Sequence, residues 1–162
     1  MSVPHSEGDR PLGDSPLRLS FVVACSPTAA FRTWTEAATL WWPANHTTTG
    51  APGSTITFEP FVGGRVYERT AAGEEIDWGE VLTWEPPGHL AYLWHIRADR
   101  ADATEVEITF APEDERACRV AIEHRGWERL GARGEVRRDA NRRGWGGLLP
   151  HYVAACGAAA TG

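Results

Sequence analysis

Residues 74–96 read EEIDWGEVLTWEPPGHLAYLWHI. Ile76, Trp78, Leu82 and Trp84 recur at every second position, with Glu80 in the same phase. After Pro86-Pro87-Gly88 the pattern resumes with Leu90, Tyr92, Trp94 and Ile96. A period of two is the mark of a strand with one buried face. Two such runs joined by a tight turn form an antiparallel hairpin.

The alternation continues on both sides. Upstream, residues 55–61 and 65–70 are predicted strands separated by Gly63-Gly64, and Ala72-Gly73 turns the chain into the hairpin. Downstream, Val106, Ile108 and Phe110 mark one strand, and Cys118, Val120, Ile122 and His124 mark another. Residues 17–24 alternate in the same way. Ser26-Pro27 then supplies a cap and a first-turn proline for a helix over residues 27–35. A second short helix, near residues 36–42, ends at Pro43. Residues 44–53 read as a loop. At the C-terminal end, Trp145, Leu148, Leu149, Tyr152 and Val153 follow helical spacing over residues 134–155. Gly144, Gly146, Gly147 and Pro150 predict a bent or broken helix there. The order is strand, two short helices, six strands, long helix. It implies an α+β fold, a curved antiparallel sheet of about seven strands wrapped around the C-terminal helix.

A chain of 162 residues suggests one domain, predicted over residues 17–157, with tails at 1–16 and 158–162. With 42% apolar and 23% charged residues it has the composition of a globular protein. No apolar run approaches the ~20 residues of a membrane helix, and no secretion leader is visible, so the expected location is the cytoplasm. The net charge of −6 argues against nucleic acid as a partner. All 16 basic side chains are arginine, which excludes lysine chemistry. Cys25, Cys118 and Cys156 are far apart, lack zinc or redox spacing, and read as buried thiols. Eight tryptophans are the unusual number; they either fill a core or line a large apolar cavity.

Several short motifs, in order, resemble the START-like superfamily, also called SRPBCC, helix-grip or Bet v 1-like. Within it the chain is similar to the bacterial branch related to the activator of Hsp90 ATPase. The motifs include Phe31-Arg32-Thr33-Trp34-Thr35, Trp41-Trp42-Pro43 with His46, and Glu59-Pro60-Phe61-Val62-Gly63-Gly64-Arg65. They continue with Asp77-Trp78-Gly79-Glu80, Trp84-Glu85-Pro86-Pro87, Trp94-His95, Glu123-His124-Arg125-Gly126-Trp127 and Gly144-Trp145. The resemblance spans residues 17–156. It implies the same fold, and a range of activities: lipid carriers, polyketide aromatase/cyclases, enediyne self-resistance proteins and co-chaperone domains.

The scattered histidines, His46, His89, His95, His124 and His151, lack metal-ligand spacing, so neither metal nor cofactor is expected. His95 and His124 could meet across the sheet. Glu80 and His124, each in phase with apolar neighbours, are the candidates for polar or proton-moving groups inside a cavity. Trp34, Trp42, Phe58, Trp78, Trp94, Trp145 and Leu149 are the candidates for its apolar walls. One ring of Trp41-Trp42 is expected nearer solvent. Arg137-Arg138 and Arg142-Arg143 read as the solvated face of the last helix. The favoured reading is a binding protein for a small hydrophobic, aromatic or polycyclic molecule, acting as monomer or homodimer. The alternatives are a polyketide aromatase/cyclase-like enzyme, a self-resistance protein of a natural-product cluster, and a co-chaperone-like interaction module.

Overall fold

The computed structural model describes residues 15–161. Residues 1–14 of the predicted tail lie outside the described residues, as does Gly162. Seven strands form one antiparallel sheet: β1 (Leu17–Val23), β2 (Thr55–Phe58), β3 (Arg65–Arg69), β4 (Glu75–Glu85), β5 (His89–Trp94), β6 (Thr104–Asp114) and β7 (Ala117–Arg125). Their order is β1-β7-β6-β5-β4-β3-β2. Helices α1 (Pro27–Thr35) and α2 (Ala38–Trp41) fall between β1 and β2. The long α3 (Gly134–Thr161) follows β7 through the 3-10 segment Trp127–Arg133. The fold is the α+β architecture that the alternation implied.

Ser26 caps α1 as expected, its Oγ accepting the Ala29 N–H at 3.1 Å. The β4–β5 hairpin differs from the expected alternation in one respect that matters for the site. In β4, Trp78 has no partner in β3, and Leu82 has none in β5. Each unpaired residue is a bulge, and each bulge reverses which face the following side chains occupy. Ile76 and Trp78 point inward, Glu80 turns outward opposite Arg65, and Val81 takes the inner position. After Leu82 the phase returns, and Trp84 meets Phe31 at 5.1 Å between ring centroids. Gly79 belongs to the first bulge: a Cβ there would lie 1.8 Å from the Leu93 carbonyl oxygen.

Of the bent or broken helix expected, the break is not found: α3 is one continuous helix, and it runs to Thr161 rather than to residue 155. Pro150 forfeits one ladder hydrogen bond. Burial of Trp145, Leu148, Tyr152 and Cys156 holds the helix regardless. Tyr152 also donates its hydroxyl to the Ala30 carbonyl at 2.7 Å, tying α3 to α1. Cys25, Cys118 and Cys156 converge beside Tyr152 as buried free thiols. Burial pushes Cys118 up to about 11 and Cys156 up to about 12. Among the described residues no helix is long and apolar enough to cross a membrane.

Candidate functional site

Aromatic rings fill most of the space between sheet and α3. Trp34 packs on Tyr152 at 4.8 Å and on Trp41 at 5.3 Å. Trp42 packs on Trp78 at 5.3 Å, Trp78 on Trp94 at 5.6 Å, and Phe58 on Tyr92 at 5.3 Å. At the centre the Trp34 indole N–H and the Tyr92 hydroxyl are buried without reaching hydrogen-bond geometry. Both rings of Trp41-Trp42 turn inward, against expectation; the exposed neighbour is Leu40. The Trp41 indole N–H is taken by the Thr33 carbonyl at 2.7 Å, which gives that ring a reason to stay inside.

The filling is incomplete at one end. A cleft of about 300 Å³ lies between the N-terminal half of α3, the end of β5 and the segment after α2. Its apolar walls are Trp42, Trp94, Trp145, Ile96 and Leu148. The three indoles are 6–8% exposed, whereas Trp34, Trp78 and Trp127 are at 0%. Its polar walls are His46, Arg97, Arg137 and Asn141, with Ala140 and Gly144 between them. Helical spacing explains the α3 contribution, since residues 137, 141, 144 and 148 share one face.

The segment after α2 is suspended from several directions. Trp42 donates its indole N–H to the His46 carbonyl at 3.0 Å. The His46 ring bonds the Asn45 side chain through Nδ1 at 2.9 Å, and its other edge lies against α3 at Gly147. Burial pushes the His46 imidazole down, with a smaller contribution from Arg97 and His151. Arg97 occupies the left-handed region at φ 58°, an uncommon backbone for a non-glycine residue, and donates Nη2 to the Thr47 carbonyl at 2.6 Å. From below, the buried Glu68 carboxylate accepts the Thr48 N–H at 2.8 Å, the Thr49 hydroxyl at 2.7 Å and the Ser54 hydroxyl at 3.2 Å. Burial works to raise Glu68, yet those donors outweigh it and hold the carboxyl below its usual range. Thr48 in turn accepts the Trp78 indole N–H at 3.0 Å.

His124 sits behind the cleft wall and is fully buried. Trp145 donates its indole N–H to Nδ1 at 3.1 Å, which leaves the proton on Nε2, bonded to the Thr104 hydroxyl at 2.7 Å. Thr104 donates its own hydroxyl to the Trp94 carbonyl at 3.3 Å. Burial, with help from the charge on Arg137, pushes the imidazole down to about 3. The ring is therefore a neutral brace that orients Trp145.

The sequence profile of the Activator of Hsp90 ATPase homolog 1-like protein family matches residues 24–153. The chain belongs to this family. Solved structures with the same fold include Txn09, an anthrahydroquino-gamma-pyrone synthase complexed with SUM. It is 30% identical, with 87% of this chain and 96% of that chain covered at a TM-score of 0.59. The self-sacrificing resistance protein CalC from Micromonospora echinospora is 27% identical, with 88% and 94% covered at 0.65. An HSP90 activator from Plasmodium falciparum shares the fold at 18% identity, with 85% and 91% covered at 0.59. A comparison with curated proteins returns no match.

Of the residues singled out from sequence, the structure brings Trp42, Trp94 and Trp145 to the cleft. Trp34, Phe58 and Trp78 belong to the interlocked core behind it. Leu149 lies in a shallow apolar groove between α3 and β1, beside Phe21 and Val153. Glu80 is on the outer face of the sheet, ion-paired with Arg100, because the bulge at Trp78 reversed its phase. His124 is inward as expected, but both ring nitrogens are engaged by Thr104 and Trp145, so it does not meet His95. Arg137 lines the cleft instead of a solvated face. The residues missed were His46, Arg97, Arg137, Asn141 and Leu148. Ile96 was already in phase with Trp94, and the four-residue steps from Arg137 through Asn141 to Trp145 carried the α3 signal.

Proposed function

We propose that this protein binds a small planar hydrophobic molecule in the cleft between α3 and the end of β5. The observation that carries the reading is the wall of three indoles, Trp42, Trp94 and Trp145, around about 300 Å³ of space. That volume is at the small end of ligand sites, which run from about 300 to 1,000 Å³. Flat apolar surfaces match indole faces, and burial of such a ligand contributes about 25 cal/mol per Å². The name of Txn09, a synthase for an anthrahydroquino-gamma-pyrone, fits a polycyclic aromatic guest and a natural-product setting. The name of CalC, a resistance protein, fits sequestration of a natural product. Binding is favoured over catalysis because neither expected proton carrier reaches the cleft: Glu80 faces outward, and His124 is locked neutral behind Trp145. Action in the cytoplasm, as monomer or homodimer, completes the proposal.

The test uses the neutral fluorophore phenylnaphthylamine, which brightens on leaving water. Wild-type protein is expected to bind it saturably. Gly144 lines the cleft, and a Cβ there meets nothing within 4 Å, so Gly144→Leu enters the cleft without a backbone clash and directs its branch into the space. That variant is expected to unfold no more easily and to bind about tenfold more weakly. Absence of saturable binding, or unchanged affinity in the filled variant, overturns the reading.

A further inference from the structure

We infer that the cleft selects ligands bearing an anionic group, which the Arg137 guanidinium holds; this rests on the reading of the cleft as a binding site. The chain carries a net charge of −6, yet no aspartate or glutamate lines the cleft. Its charged walls are Arg97 and Arg137, with His46 beside them. The local sign is opposite to that of the whole protein.

Arg137 is half-buried, and among the described residues its guanidinium makes no hydrogen bond or ion pair. Several other arginines of the fold are ion-paired: Arg65 with Asp77, Arg119 with Glu113, and Arg125 with Glu105 and Glu107. Asp102 feels the charge on Arg137, but both of its carboxylate oxygens are held by Arg133 at 3.2 Å. A cation partly withdrawn from water beside indole walls thus has no directly bonded counter-charge of the kind that ordinarily offsets such burial. A planar fork of N–H donors is matched by a carboxylate or sulfonate, which accepts two hydrogen bonds at once. Arg97 adds a second positive charge, fixed in place by its bond to the Thr47 carbonyl. The ligand class is therefore a flat aromatic body with an anionic substituent at the Arg137 end.

The test compares two probes with the same rings, anilinonaphthalene sulfonate and neutral phenylnaphthylamine, on wild type, Arg137→Met and Arg137→Lys. Removing the Arg137 side-chain charge breaks no bond among the described residues, and circular dichroism verifies the fold. Wild type is expected to prefer the anion. Arg137→Met is expected to weaken the anion about tenfold, a change of about 1.4 kcal/mol, and the neutral probe less than twofold. Arg137→Lys is expected to restore part of the loss. Added salt is expected to weaken only the anion. Equal affinities in wild type, or an anion preference that survives Arg137→Met, overturns the inference and leaves the cleft standing. Failure of both probes to bind overturns the cleft and the anion site together.

Discussion

His124 is neutral because it is buried, and that gives the protein a defined acid sensitivity. The ordinary imidazole value is 6.5, and in the fold it is pushed down to about 3. Below pH 6.5 the unfolded chain takes up a proton at this position and the folded chain does not. Stability is thus fully present above 6.5, falls as pH drops below it, and keeps falling until the folded value is reached. The slope is about 1.4 kcal/mol per pH unit, so acidification to about pH 5 costs about 2 kcal/mol through this ring alone. Carboxylates add little across that window, because it lies above their ordinary range. Urea unfolding at about pH 7.5 and pH 5, on wild type and His124→Gln, measures the contribution. Glutamine keeps a donor toward Thr104 and loses both the titration and the acceptor for Trp145. The variant is expected to be less stable at the higher pH and to lose about 2 kcal/mol less on acidification. Parallel losses in the two proteins would refute the neutral-brace assignment and return His124 to the pool of groups able to move protons.

Two further outcomes follow from the bonds around the cleft. Gly144→Ala and Gly146→Ala, where a Cβ meets nothing within 4 Å, are expected to stabilise α3 by about 1 kcal/mol each. Gly147→Ala is expected to give no gain, because its Cβ would sit 3.0 Å from His46 Nε2 and push the ring off α3; thermal melts of the three variants separate the cases. Glu68→Gln is expected to cost about 2 kcal/mol in urea unfolding, since three donors of the 48–54 segment lose a charged acceptor. The Glu68 carboxyl lies below its unfolded value of 4.5, so its contribution is present above that pH and is lost as pH falls through the folded value. The acid-dependent difference between wild type and Glu68→Gln, read below about pH 5, checks that sign.

Alternation and caps made the element order legible because they are local. The α1 helix over residues 27–35 follows from Ser26-Pro27 and an apolar face, and the structure reproduces it. The placement of Glu80 was not legible. Five residues in one phase describe one face only while the register is unbroken, and two bulges in β4 break it. Only Gly79, in the middle of an otherwise bulky run, hinted at a backbone too close for a side chain. Pro150 and the nearby glycines misled in the opposite direction. Local propensity predicted a bend or a break, and burial of the Trp145 to Cys156 face keeps the helix unbroken. The meeting of Cys25, Cys118 and Cys156 is a product of tertiary folding alone, which no spacing rule reaches.

The cleft itself is written in the sequence as missing side chains. Eight tryptophans drew attention to large residues as the makers of a cavity, but large residues close space: Trp34, Trp41, Trp42 and Trp78 interlock wherever α1 and α3 offer bulk between them. Space survives where α3 turns Ala140 and Gly144 toward Trp94 and Ile96. One step further along, the absence of a side chain at Gly147 lets the His46 ring lie directly against the helix. The same small residues thus open the cleft and anchor its far wall. Because His46 also holds the Trp42 indole through its carbonyl, widening the cleft for a larger guest requires moving the 42–46 segment away from α3. A guest that fits without that release is limited to the space that Ala140 and Gly144 leave, with its polar end directed to Arg137 one turn earlier on the helix.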